Sequence, residues 1–232
     1  LSGNLASVVQ VNADAGFSIV KYTGSGGNGQ SVLHGLGLTP EVIITKARNG
    51  TDDWYVYHKS IGNTKILKLN TTGAEASSSV YDAAAVSSSA FFVSANLIYV
   101  GELGADFVSY CFAPIQGYSK FGSYVGNGNA NGPFIYTGFK PAWIMVKDTQ
   151  SSGDNWQILD TKRDPHNPQL KYLQADNANA EGSFTFVDIL SNGFKFRSTY
   201  SVGPNVNGHK TIYMAFAENP FVTSTGIPTT AR

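Results

Sequence analysis

Short runs of apolar and β-branched residues, separated by turns rich in Gly, Asn, Asp and Ser, alternate along most of the chain. Such runs of four to eight residues are typical of β-strands. Residues 70–89 contain many Ala, Ser and Thr, but no apolar face recurs there at helical spacing, so no helix is predicted. The clearest predicted strands cover residues 17–22, 42–45, 54–57, 64–69, 90–93 and 107–112.

One ten-residue motif occurs twice and suggests an internal repeat. In both copies a glycine turn leads through a proline into an apolar run that ends in lysine. Pro40 and Pro141 lie 141 − 40 = 101 residues apart, Trp54 and Trp156 lie 102 apart, and Lys65 and Lys171 lie 106 apart. Offsets that grow in small steps indicate insertions in loops between fixed strands. The copies read Gly37-Leu38-Thr39-Pro40-Glu41-Val42-Ile43-Ile44-Thr45-Lys46 and Gly138-Phe139-Lys140-Pro141-Ala142-Trp143-Ile144-Met145-Val146-Lys147.

The repeat predicts an all-β protein of two tandem, mutually similar antiparallel β-sandwich units of jelly-roll type. Each unit has six or seven short strands in about 100 residues, which is the size of a sandwich domain. We expect a connector over residues 1–15, sandwiches over 16–116 and 117–222, and a tail over 223–232. One fused sandwich, to which both repeats contribute, is the alternative.

The two copies of the motif differ in polarity. Glu41 and Thr45 stand where the second copy has Ala142 and Val146. We therefore expect that face of the second strand to pack against the first unit or another subunit, and the matching face of the first strand to be more exposed.

Charge and cysteine content exclude several classes of protein. Lys plus Arg and Asp plus Glu both number 16, so no basic surface for nucleic acid or an anionic membrane is expected. No apolar run reaches the ~18 residues of a membrane-spanning helix. Cys111 is the single cysteine, which rules out an intrachain disulfide, and we expect it to be a small buried hydrophobe. Because the chain begins at Leu1, we expect it to be part of a longer polypeptide.

The residues capable of chemistry form no recognisable catalytic or metal-binding motif. The four histidines lack metal-ligand spacing, and we expect His34 to bond to the backbone of its turn. Asp160 and Asp164 flank residues 161–163, where an ion pair and a turn are expected and a catalytic carboxylate pair is the alternative. The glycine-rich loop at 24–29 lacks the lysine of a phosphate-binding loop. We predict no enzyme, no cofactor and no metal site.

Aromatic residues around the repeated motif are the candidate ligand contacts. Trp54, Tyr57 and Trp156 could stack on a glycan, although a tryptophan at matching positions of two repeats is more typical of a core anchor.

The order of short sequence segments in both units resembles a repeat of bacteriophage virion proteins. These are often tail or tail-fibre proteins, notably of marine phages. The resemblance covers roughly residues 16–221. It rests on residues 17–26, on His34-Gly35-Leu36-Gly37, on Pro40 to Lys46, on Trp54-Tyr55-Val56-Tyr57-His58, and in the second unit on residues 118–124, 133–139 and 213–221.

That resemblance implies a non-enzymatic structural protein of the virion, assembled in the host cytoplasm and extracellular after release. The expected role is host attachment as a tail-fibre or tail-tip component. The expected partners are other copies of the chain in a homotrimer, other virion proteins and host surface glycan, with no nucleic acid and no membrane insertion. A glycan-binding, lectin-like module and a polysaccharide depolymerase are the alternatives.

Overall fold

The protein is all-β, as the alternation of apolar and polar residues predicts. The computed structural model describes residues 5–81, 86–94, 100–199 and 203–219, so the tail expected over 223–232 lies outside it. All ladders between the named strands are antiparallel. A 3-10 turn at Lys59–Ile61 follows β5. The strands are β1 (Ser7–Asn12), β2 (Phe17–Thr23), β3 (Gln30–Leu33), β4 (Val42–Ala47), β5 (Tyr55–His58), β6 (Lys65–Lys68), β7 (Ala76–Ser77), β8 (Ala90–Val93), β9 (Asp106–Phe112), β10 (Ser119–Val125), β11 (Phe134–Tyr136), β12 (Pro141–Asp148), β13 (Gln157–Asp160), β14 (Gln169–Gln174), β15 (Gly182–Leu190), β16 (Gly193–Phe196) and β17 (Lys210–Ala217).

The chain divides into two compact units. Unit 1 comprises Leu1–Leu69 and Glu75–Pro114, and unit 2 comprises Asn70–Ala74 and Ile115–Arg232. Each unit has its own cluster of buried apolar side chains. Each is therefore built around a separate hydrophobic core.

Unit 1 is a sheet in the order β1-β2-β9-β4-β5-β6-β7 with a two-stranded sheet, β3-β8, beside it. Tyr22 of β2 meets Phe91 of β8 edge to face, with ring centroids 6.0 Å apart, and stacks on Phe107 of β9 at 5.3 Å. Burial alternates along β9, whose inward side chains include Phe107 and Cys111. This alternation is the mark of a strand with one face on the core.

Unit 2 is a sheet in the order β10-β17-β12-β13-β14-β15-β16-β11. Phe194 of β16 meets Tyr213 of β17 edge to face at 5.5 Å, and Phe196 packs on Tyr124 of β10 at 5.2 Å. The sheet therefore turns back on itself, and its two ends enclose the core as in a sandwich.

The two units share one strand order. The series β2-β9-β4-β5-β6 in unit 1 corresponds to β10-β17-β12-β13-β14 in unit 2, and the pair β3-β8 corresponds to β11-β16. The registers agree as well: Ile43 lies between Cys111 and Tyr57, and Ile144 lies between Ala215 and Leu159. The offsets 144 − 43 = 101 and 159 − 57 = 102 are those found in the sequence.

Equivalent turns carry equivalent hydrogen bonds. The glycine directly after β2 in unit 1 and after β10 in unit 2 donates to the loop before the last strand of its unit. The tyrosine two residues earlier donates to a backbone carbonyl of the same loop. These bonds are Gly24 N to Ala105 O and Gly126 N to His209 O, both 2.9 Å, and Tyr22 Oη to Val100 O at 2.8 Å and Tyr124 Oη to Pro204 O at 2.6 Å.

The two copies of the repeated motif are aligned in the structure only from their prolines onward. Leu36 and Phe139 are each 3% exposed, and each donates its backbone N–H to the side chain two residues before it. The positive-φ glycine between those two residues is Gly35 in unit 1 and Gly138 in unit 2. The structural counterpart of Gly138 is therefore Gly35, not Gly37, and unit 1 has two additional residues before its proline.

The connector expected over residues 1–15 contains a strand, which corrects that prediction. Ser7–Asn12 pairs with β2 through six residue pairs as the edge strand β1. Val8, Val9 and Val11 are β-branched, which suits an extended backbone. None of the six residues of β1 is fully buried, and Val8 is 72% exposed, because β1 lies at the sheet edge.

The expected difference in exposure between the two core strands is wrong. Thr45 is 0% exposed and Val146 is 1% exposed, while Glu41 and Ala142 are both half-buried. Thr45 can be buried because its hydroxyl bonds to the Ser109 hydroxyl at 2.7 Å and accepts from the Tyr81 hydroxyl at 3.0 Å.

Candidate functional site

Two of the three aromatic side chains proposed as glycan contacts lie in the interior. Trp156 is 2% exposed and Tyr57 is 7% exposed, so neither offers a ring face to a ligand. Both flank central strands, where a large aromatic ring buries the most area. The structure therefore corrects their assignment as contacts in favour of the core-anchor alternative.

Trp54 is half-buried and stacks on Tyr110, with ring centroids 6.3 Å apart and planes inclined by 22°. It lies in unit 1 with Tyr57, whereas Trp156 belongs to unit 2. The three residues thus do not form one site within either unit.

A buried ionic cluster in unit 2 was not predicted from the sequence. Lys147, at the end of β12, is fully buried, and its Nζ lies 3.8 Å from Oδ2 of Asp154 and donates to the Asp154 carbonyl at 3.0 Å. The backbone N–H of Asp148 donates to the same Oδ2 at 3.0 Å. Burial lowers the pKa of Lys147 against the opposing effect of Asp154, and burial raises the pKa of the Asp154 carboxyl to about 6 against that of Lys147.

The same cluster brings together a serine, a histidine and an aspartate. His209 Nδ1 lies 2.9 Å from Asp148 Oδ2 and 3.1 Å from the Ser151 hydroxyl. A nucleophile relay needs the serine and the aspartate on opposite ring nitrogens, and here both contact Nδ1. Asp148 also accepts from the backbone N–H groups of Gln150 and Ser151. The arrangement therefore holds the turn after β12 and does not activate the serine.

The carboxylates proposed as an alternative catalytic pair build a turn, as the ion-pair prediction expected. Arg163 lies 2.8 Å from Asp160, and Asp164 accepts from the backbone N–H groups of Leu170 and Lys171. Burial alone would raise the pKa of the Asp164 carboxyl, but these backbone donors together bring it below its usual value. A carboxyl with a lowered pKa is a poor general acid near neutral pH.

The predictions for His34 and Cys111 are confirmed. His34 is fully buried, accepts from the Leu36 N–H at Nδ1, and lies 3.1 Å from the Ser87 carbonyl through Nε2. Burial lowers the pKa of His34. Burial also raises the pKa of the Cys111 thiol to about 12, so this side chain behaves as an inert hydrophobe.

Within residues 5–81, 86–94, 100–199 and 203–219, no three His, Cys, Asp or Glu side chains are grouped closely enough to hold a metal ion. Over the same ranges, no helix is long and apolar enough to cross a membrane.

An open groove of about 540 Å³ lies on unit 2. Its wall carries an aromatic ring, an aliphatic side chain, several hydroxyl groups and one guanidinium. Phe184 is 46% exposed, and its ring meets the buried Phe186 edge to face at 5.7 Å. The lining residues of the groove include Leu170, Ser183, Phe184, Thr185, Arg197 and Thr199.

The groove follows from an irregularity in the ladder between β14 and β15. Gln169 pairs with Val187, and Lys171 pairs with Ser183, so Leu170 alone stands opposite three residues of β15. Ser198 donates its hydroxyl to the Thr185 carbonyl and holds the bulged strand from its other side. Bulges re-aim side chains and are frequent beside functional sites. The extra length is a property of the pairing between two strands, so the sequence of either strand alone gives no signal for it.

A family model described as "Domain of unknown function (DUF7483)" matches residues 1–220. No curated protein and no solved structure matches the chain.

Proposed function

This chain belongs to the DUF7483 family, and we propose that it is a non-enzymatic structural protein of a bacteriophage virion that attaches the particle to its host. Its place in the virion would be a tail fibre or the tail tip. The phage context comes from the resemblance of residues 16–221 to repeats of virion proteins. The family description itself names no activity.

The observation that carries the non-enzymatic part of the proposal is the use of the ionisable groups. Each cluster that could perform acid–base or nucleophilic chemistry holds a turn or a loop. Asp148 accepts four hydrogen bonds around one turn. Asp164 is held by backbone donors. Side chains committed in this way support a scaffold role.

The matching strand orders, registers and turn bonds of the two units support an origin by internal duplication. A repeated sandwich offers two similar outer surfaces, which suits a protein that presents contacts at the end of an appendage.

We further propose that the chain assembles as a homotrimer and contacts other virion proteins. Zero net charge removes one barrier to self-association, because like-charged copies repel. Three copies would also multiply weak contacts with a host surface through avidity.

Mass spectrometry and cryo-electron microscopy of purified virions test the virion assignment, and light scattering on the isolated chain tests the assembly. We expect the chain in the tail and a mass of three copies in solution. A stable monomer that is absent from virions would overturn the proposal. Release of reducing ends from host capsule polysaccharide would instead favour a depolymerase.

A further inference from the structure

We propose that the groove beside the β14–β15 bulge binds an acidic saccharide, with the Phe184 ring as its platform and Arg197 as its carboxylate contact. The inference deepens the proposed adhesive function and rests on it only for the biological source of the glycan. The groove's own chemistry argues for the ligand class.

Phe184 presents an exposed aromatic ring in the groove. Nearly half of this large apolar side chain is exposed, and its ring is braced against Phe186, which in turn packs on Tyr172 at 4.8 Å. A ring held in this way loses little conformational entropy when a ligand covers it. The C–H face of a pyranose is a flat, weakly apolar surface of the kind that stacks on an aromatic ring.

Hydroxyl-bearing residues line the same groove as Phe184. They are Ser183, Thr185 and Thr199, and the hydroxyl of each can donate and accept a hydrogen bond. A saccharide presents the same mixed donor and acceptor pattern. A purely apolar ligand would leave these groups without compensation when it displaced water.

The groove also carries a positive charge. Arg197 is the one charged residue among the described residues that line the groove, and its side chain is 42% exposed. Its Nε lies 3.3 Å from Asp188 Oδ2, an ion pair that leaves a partly exposed guanidinium at the groove. A guanidinium can donate to both oxygens of a carboxylate, which favours a uronic acid over a neutral sugar.

The irregular ladder that forms the groove has no counterpart in the described residues of unit 1. At the corresponding place in its ladder, unit 1 has β7, a strand of two residues, and its pairing with β6 is regular. The bulge is therefore not required by the shared fold. A departure from the common ladder that exposes an aromatic ring needs a local reason, and a ligand supplies one.

The test is titration of the full chain with tetragalacturonate and with its methyl ester, followed by NMR or calorimetry. We expect binding of the acid and weaker binding of the ester, because esterification removes the charge and keeps the rings. Phe184→Ala should weaken binding of both ligands by roughly tenfold, as expected for the loss of one stacking contact. Arg197→Gln should weaken binding of the acid and leave binding of the ester unchanged. Arg197→Lys, which keeps the positive charge, should bind the acid more tightly than Arg197→Gln does.

Phe134→Ala is the matched control, because Phe134 is also 46% exposed in unit 2 and does not line the groove. It should leave both affinities unchanged. Absence of binding at millimolar ligand, or binding that survives Phe184→Ala in a protein with unchanged thermal unfolding, would overturn the inference. Detection of the chain in virions together with no saccharide binding would refute this site and leave the proposed function standing.

Discussion

A lysine at the same position of both units occupies two different environments. Lys46 is half-buried and donates to the carbonyls of Ala47 and Gly50, both at 3.0 Å. Lys147 also donates to a loop carbonyl, but it is fully buried beside Asp154. The shared role is to close the loop after the strand, and the buried ion pair is an addition in unit 2.

We predict that Lys147→Met destabilises the protein by about 3–5 kcal/mol, because it leaves the buried Asp154 carboxyl without its counter-ion. Lys46→Met, the matched control, should cost about 1 kcal/mol, as for the loss of ordinary hydrogen bonds. Denaturant unfolding at pH 7 measures both changes. Addition of Asp154→Asn to the Lys147→Met variant should recover part of the loss, and equal losses for the two lysine variants would contradict the argument.

His34 should make folding sensitive to pH. Burial lowers its pKa in the folded state, so below about pH 6.5 the unfolded chain binds the proton more readily. This contribution to stability is complete above that pH and is lost as the pH falls. Between pH 7 and pH 5, His34→Asn should therefore flatten the decline in unfolding free energy. An unchanged slope in the His34→Asn variant would contradict this assignment.

Among the elements, central strands were predictable from the sequence and edges were not. The strands around Ile43 and Tyr57 were found because continuous β-branched and aromatic residues mark buried strands. β1 escaped prediction because its polar positions resemble those of a linker. The groove was not predictable because it depends on a bulge. A bulge is defined by the pairing of two strands, and the sequence of one strand alone does not specify it.

The turns that follow β2 in unit 1 and β10 in unit 2 give one prediction for both units. A Cβ added to Gly24 would meet the Glu102 carbonyl oxygen, and one added to Gly126 would meet the Val206 carbonyl oxygen. Backbone atoms cannot move aside cheaply, so Gly24→Ala and Gly126→Ala should each cost about 1–3 kcal/mol in thermal or denaturant unfolding. Gly73→Ala is the control, because its nearest neighbour would be Thr71 Oγ1 at 3.6 Å. A neutral effect at Gly24 or Gly126 would mean that the turn relaxes.

For the whole molecule, the sequence predicted an all-β fold and the correspondence of strands between the units. It could not decide which aromatic residues face solvent, because a ring near a strand can belong to the core or to a binding surface. Trp156 and Phe184 illustrate this: the first is a core residue and the second is half exposed. Their burial in the folded chain distinguishes the two roles.

Two separate cores predict two separable unfolding events. Phe91 and Phe194 occupy equivalent positions in β8 and β16, and both are 0% exposed. Truncation of either ring to Ala should cost about 3–5 kcal/mol. Because the two side chains belong to different clusters, each variant should lower one transition in differential scanning calorimetry and leave the other in place. A single transition that both variants lower equally would instead indicate that the two units unfold as one cooperative body.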